Sequence, residues 1–162
     1  NIYLNIINQA SDYIYICTPY LIIDTDMINS LILAANRGVD VRIIIPDIAD
    51  KRFVYTVTRN NVEKLTQYGI KVYTMTNSFV HSKMMLTENS AIVGSINMDL
   101  RSFNQQFESA VFTSEKATLS SVALDFDNAF SLSEQITKDK FKRNKLSFRI
   151  LAGIFNILSP FM

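Results

Sequence analysis

The single histidine of this 162-residue chain, His81, has a lysine two positions on, Lys83. In an extended strand, side chains at i and i+2 share a face, so imidazole and ammonium are expected to point the same way. After a polar interruption at residues 88–90, a short apolar run leads into Gly94, Ser95 and Asn97. Ser95 and Asn97 are again two apart, so the two strands of one hairpin would offer four polar groups together. A nucleophile or proton carrier, a fixed cation, a hydroxyl and a carboxamide suit a phosphate ester. Imidazole can attack phosphorus as a covalent catalyst, and an ammonium holds anionic oxygens as a point charge. Each piece alone is ordinary: a lone histidine is usually a surface or satisfied core residue, and Gly-Ser-x-Asn is usually a turn. The signal is their joint spacing.

The elements that must carry this hairpin follow from periodicity and punctuation. Residues 1–10 have apolar side chains at helical spacing (Ile2, Tyr3, Ile6, Ile7, Ala10). Residues 13–18 form a β-branched and aromatic strand halted by Pro19. Asp24, Thr25 and Asp26 offer caps for a helix from Met27 to about Arg37, ended by Gly38. Residues 39–45 then read as a buried strand stopped by Pro46, and the strand–helix–strand order implies a parallel pair with a right-handed crossover. A second helix over 51–67, a strand over 70–75, the hairpin strands 79–86 and 90–94, a strand over 107–113 with Glu108 at its start, and a helix from 114 to about 131 complete the pattern. With no repeats or low-complexity linkers, this is one α/β domain, within the usual ~100–200 residues per domain.

Hydrophobic residues make up 48% and charged residues 19%, ordinary for a globular fold. The lone cysteine, Cys17, excludes an intrachain disulfide framework and reads as a packed small hydrophobe. One histidine and one cysteine make no metal constellation, so neither metal nor cofactor is expected. Residues 138–162 carry six basic side chains (Lys138, Lys140, Lys142, Arg143, Lys145, Arg149) against Asp139, a net of +5; with +1 for the whole chain, the rest carries −4. That tail also has Leu146, Ile150, Leu151, Ile154, Ile157, Leu158 and Phe161 at helical spacing. It reads as a basic amphipathic helix, either docked on the domain or lying on an anionic membrane surface. Division at 136/137 therefore separates a catalytic lobe from this helix. A nuclease would show a basic groove with stacking aromatics; the acidic body argues against nucleic acid. No stretch meets the ~20-residue apolar criterion for a membrane span.

The runs HSK and GSIN resemble the paired HxK and GSxN signature of the phospholipase D superfamily. The fuller IVGSINMDLRSFNQQFE, with TPYLI, AANRGVDVRIIIPD and YGIKVYTMTNSFVHSK upstream, is similar to bacterial cardiolipin synthases over most of the chain. The resemblance implies a phospholipase D-like sandwich, a mixed central sheet flanked by helices, forming one lobe of a two-lobe enzyme. By the same resemblance His81 is the covalent nucleophile, Lys83 and Asn97 contact the phosphate beside Ser95, and Glu108 orients the histidine. The family pattern has Asp seven residues after the His and six residues between that Asp and the Gly. Here Glu88 takes that place and five residues separate it from Gly94. The expectation is a tighter turn that keeps both polar faces but does not repeat the aspartate's interactions.

The activity so implied is transfer between two phosphatidylglycerol molecules, giving cardiolipin and glycerol through a phosphatidyl-histidine. Alternatives in the same site are phospholipase D-type or other phosphodiester hydrolysis, or a non-catalytic lobe. The leaving group needs a general acid. In the superfamily this is the histidine of a second HxK motif, which this sequence lacks. The partners implied are an N-terminal HxK half or a second copy, with phosphatidylglycerol, cardiolipin and an anionic membrane surface. The implied location is the cytoplasmic face of the bacterial cell membrane, with an anchor in a segment outside this chain; a start at Asn1 suits a piece of a longer protein.

Overall fold

The computed structural model describes residues 2–47, 52–75 and 80–137. The chain runs α1 (Ile2–Gln9), β1 (Tyr13–Cys17), β2 (Leu21–Ile22), α2 (Thr25–Asn36), β3 (Asp40–Pro46), α3 (Arg52–Gln67) and β4 (Lys71–Met75). It continues through β5 (Met84–Thr87), β6 (Ala91–Gly94), β7 (Met98–Asp99), α4 (Leu100–Asn104), β8 (Ala110–Thr113), α5 (Lys116–Ser131) and β9 (Ser133–Gln135). Seven strands form one sheet in the order β8-β6-β5-β1-β3-β4-β9. β1, β3 and β4 are parallel, while β5, β6, β8 and β9 join antiparallel to their neighbours. A mixed sheet flanked by helices is the architecture expected.

Local chemistry explains the boundaries. Asp24 accepts from the Met27 amide at 2.8 Å and so caps α2. Gly38, at φ +93°, reverses the chain into β3 in a backbone region that Cβ-bearing residues avoid. Alternation along β1 sends Ile14 and Ile16 to one face and Tyr13, Tyr15 and Cys17 to the other. The first face packs with Ile43, Val72, Met85 and Ile92 against α1, α2 and α3. The second, with Ile44, Leu86 and Ala91, is covered by Val122 and Phe126 of α5. Tyr15 and Tyr73 both meet Phe130 edge-on, with ring centroids 5.3 and 5.0 Å away. Buried on both faces, β1 and β3 are the centre of the sandwich.

Three features depart from the sequence reading. The first hairpin strand begins at Met84 rather than at 79, so His81 and Lys83 precede it. The His81 carbonyl accepts from Lys83 Nζ at 2.6 Å instead of joining a strand ladder. β8 likewise begins at Ala110, leaving Glu108 ahead of the strand. Finally β2, β7, α4 and β9, none of which the patterning signals, are all five residues or shorter. The basic tail, from Lys138 onward, lies outside the described residues, as does Phe79.

Candidate active site

Four strand ends and the turn after α4 meet at one edge of the sheet. The Gly94 amide donates to the Lys83 carbonyl at 3.1 Å, which closes the hairpin at its open end and sets Lys83 beside Ser95. Gly94 is required here by contact: a Cβ would lie 2.3 Å from the Ser109 carbonyl oxygen and 2.5 Å from Ala110 Cα. Only a bare backbone lets β8 pair so closely with β6. The pairing continues past the ladder, since the Ser95 amide donates to the Ser109 carbonyl at 2.9 Å and the Ser109 amide donates to Ser95 Oγ at 3.1 Å. Ser95 Oγ in turn donates to the Glu108 carboxylate. Glu108 is thus held against the GSxN turn by four residues of backbone.

Lys83 is half-buried, and burial pushes its ammonium below the ordinary lysine range; the Glu108 carboxylate nearby works in the opposite direction. Lys83, Ser95 and Glu108 therefore form one electrostatic cluster, a cation and a carboxylate linked through a hydroxyl-bearing turn. His81 joins through its carbonyl, which accepts from Lys83, and its side chain is exposed at the rim. An exposed imidazole is accessible to a substrate arriving from solvent or from a lipid surface.

Asn97 is placed by a different strut. Thr18, wholly buried, accepts from the Met98 amide at 3.1 Å and donates to the Tyr20 carbonyl at 2.8 Å. β2 pairs with β7 in parallel, matching Leu21 with Met98, and Asn61 Nδ2 donates to the Leu21 carbonyl at 2.9 Å. The TPYLI segment thereby braces residues 97–99 from below. Sequence reasoning marked TPYLI only by resemblance. Its signal was a threonine at the end of an apolar strand, a polar side chain that burial obliges to find partners. Asn97 Nδ2 faces Ser102 Oγ at 3.4 Å, while its Oδ1 is buried with no hydrogen-bond partner.

Glu88 lies at the far tip of the hairpin, away from this cluster. Its carboxylate accepts from the Ser11 amide and hydroxyl at 2.9 and 3.1 Å and from the Asp12 amide at 3.4 Å. Burial raises its carboxyl pKa, but these donors outweigh that and hold it below the ordinary range. The short turn is compact, with Thr87 and Ser90 hydroxyls 3.1 Å apart and the Thr87 amide donating to the Ser90 carbonyl at 2.8 Å. Glu88 thus serves the turn and the Ser11–Asp12 backbone beside it. Cys17 is buried with its thiol pushed up to about 12, chiefly by desolvation, which suits packing and not nucleophilic work. Among the described residues no group of three or more His, Cys, Asp or Glu side chains converges on a metal position.

Solved structures share this fold. The phospholipase D family member Nuc from Salmonella typhimurium aligns with a TM-score of 0.73 at 20% identity, covering 83% of this chain and 88% of that one. Phosphatidylserine synthase from Haemophilus influenzae aligns at 0.73 and 12% identity over 99% of this chain and 42% of that one. The fold is thus that of a phospholipase D-like domain. Residues 3–130 match the family described as cardiolipin synthase, PLD-like domain, and the chain belongs to that family. It is 37% identical to cardiolipin synthase 2 of Staphylococcus epidermidis over 161 residues and 34% identical to a cardiolipin synthase of Halalkalibacterium halodurans over 162. It spans about a third of those relatives' length: 33% and 32%.

Proposed function

We propose that this domain supplies one half of a phosphatidyl-transferring site that makes cardiolipin from two molecules of phosphatidylglycerol. The observation that carries the reading is the Lys83–Ser95–Glu108 cluster at the open end of the hairpin, beside an exposed histidine. In the first step an imidazole nitrogen of His81 attacks phosphorus, the P–N bond forms, and the bond from phosphorus to the glycerol headgroup breaks. A hydroxyl of a second phosphatidylglycerol then attacks phosphorus, the P–N bond breaks, and cardiolipin leaves. Lys83 and the amide end of Asn97 stabilise charge on the transferring phosphoryl, a preorganised contribution of several kcal/mol. Glu108 fixes the imidazole tautomer and favours its charged form.

Departing glycerolate needs a proton from a second group, since one histidine cannot be nucleophile and acid in the same step. That acid belongs to a further HxK half, in cis or in a second copy. Supporting this, apolar side chains are exposed in and just before the edge strand on the site side: Val111 and Phe112 of β8 are 68% and 51% exposed, and Phe107 ahead of it is fully exposed. An exposed sheet edge is a place where another domain can dock. The relatives' names and the basic tail support work at a membrane surface. The reading is tested by rapid quenching of the enzyme with both HxK halves against phosphatidylglycerol radiolabelled in its phosphatidyl group. A labelled histidine adduct in the wild type that is absent from His81→Asn is expected. An adduct on any other residue, or cardiolipin formed by His81→Asn at the wild-type rate, overturns the assignment.

A further inference from the structure

Glu108 and Asn97 come from opposite ends of the α4 region, yet a chain of polar side chains connects them. The Gln106 carboxamide is satisfied with its nitrogen donating to Glu108 Oε1 at 3.0 Å and its oxygen accepting from Arg101 Nε at 3.2 Å. In that orientation the same nitrogen faces Ser102 Oγ, 3.4 Å away. Ser102 is buried, its amide donates to Asp99 Oδ1 at 2.7 Å, and its hydroxyl lies 3.4 Å from the Asn97 carboxamide. The order Arg101–Gln106–Glu108 on one side and Gln106–Ser102–Asn97 on the other leaves one consistent set of donors. Arg101 can only donate, so Gln106 must offer its oxygen there and its nitrogen to Glu108 and Ser102. A hydroxyl oxygen has two lone pairs, so Ser102 Oγ accepts from Gln106 and from Asn97 Nδ2 together. The Asn97 carboxamide is then held through Ser102, while its Oδ1 is the one buried side-chain atom among the described residues without a partner.

We infer that Gln106 and Ser102 are positioning residues, a relay that ties the Glu108 carboxylate to the orientation of the Asn97 carboxamide. This deepens the transfer mechanism above and rests on it for its kinetic consequence only. Half-filled polar networks are weak, and complete ones are rigid; misplacing a group by ~1 Å costs on the order of 10²-fold in rate. Gln106 itself is exposed and touches no reacting atom, so its removal should leave the fold alone.

The test uses the 15N-labelled chain with Gln106→Leu, Gln106→Asn and Ser102→Ala, and reads the side-chain amide signals of Asn97. Gln106→Leu and Ser102→Ala are expected to shift those signals and to speed their solvent exchange several-fold, with the backbone spectrum of the sheet retained. Gln106→Asn, which keeps the carboxamide, is expected to recover part of the protection. Asn97 signals unchanged in Gln106→Leu overturn the relay. In a turnover assay of the enzyme with both HxK halves, Gln106→Leu is expected to lower kcat about 10-fold with KM little changed, and an unaltered kcat also overturns it. If that two-half wild type gives no His81-dependent turnover, the transfer reading has failed, and the Asn97 signals decide the relay alone.

Discussion

Lys83 is a half-buried ammonium that donates to the His81 carbonyl and feels the Glu108 carboxylate nearby. Lys83→Arg is therefore expected to lose on the order of 10²-fold in turnover while the melting temperature stays put, because a planar fork cannot occupy the position of a point charge. A variant with near wild-type kcat would make Lys83 peripheral. Glu88 makes the opposite case, a carboxylate whose work is structural. Its folded pKa sits below the ordinary 4.5, so its contribution is present above pH 4.5 and is lost as pH falls through the folded value. Glu88→Gln should cost about 1 kcal/mol at pH 7, discounted for partial exposure, and wild type and variant should converge in denaturation curves as pH falls through the folded pKa. A gap that persists in acid would show that shape, and not charge, holds the turn. The sequence showed the site residues by type and spacing, but not these two roles. Neither the three donors from Ser11 and Asp12 nor the carboxylate beside Lys83 is near in sequence to the residue it serves.

At the scale of elements, long periodic segments were legible and short ones were not. α1, α2, α3 and α5 and the buried strands β1, β3 and β4 agree with their patterns to within a few residues, because burial of one face enforces a period. Pieces such as β2 and β7 are two residues long and exist by pairing with each other. No local period can announce them. The same holds for the run-up to β5, where a lysine bonding back to His81 replaces a ladder and moves both site residues out of the strand. The β6–β8 contact is the element on which the cluster depends most directly. Gly94→Ala places a methyl group against backbone atoms that cannot swing aside, and overpacking of this kind costs ~1–3 kcal/mol. The variant is expected to melt several degrees lower, and its residual activity should fall further than its folded fraction, because Glu108 moves with β8. Activity that simply tracks the folded population would separate the strand contact from the chemistry.

For the molecule as a whole, one histidine and one uncovered apolar edge lead to the same measurement. The 162-residue chain alone is expected to be inactive on phosphatidylglycerol, or active with a rate that rises as the square of its concentration at high dilution. Concentration-independent turnover from a monomer in sedimentation would refute the need for a second half. The tail makes a separate prediction. Binding to vesicles should increase with anionic lipid and weaken with salt, by screening over ~10 Å at 0.1 M, and removal of residues from Asn144 onward should abolish it without unfolding the lobe. Early melting of the truncated chain would instead make the helix part of the core. The sheet order has a consequence in time. The parallel strands β1, β3 and β4 are complete by residue 75, whereas β5, β6 and β8 on the site side are made later, β5 docking on the free edge of β1 and the others in turn beyond it. As the ribosome emits this chain, a hydrophobic half-sheet therefore stands with β1 exposed until residue 87 arrives, and the catalytic corner closes only when β8 has paired with β6.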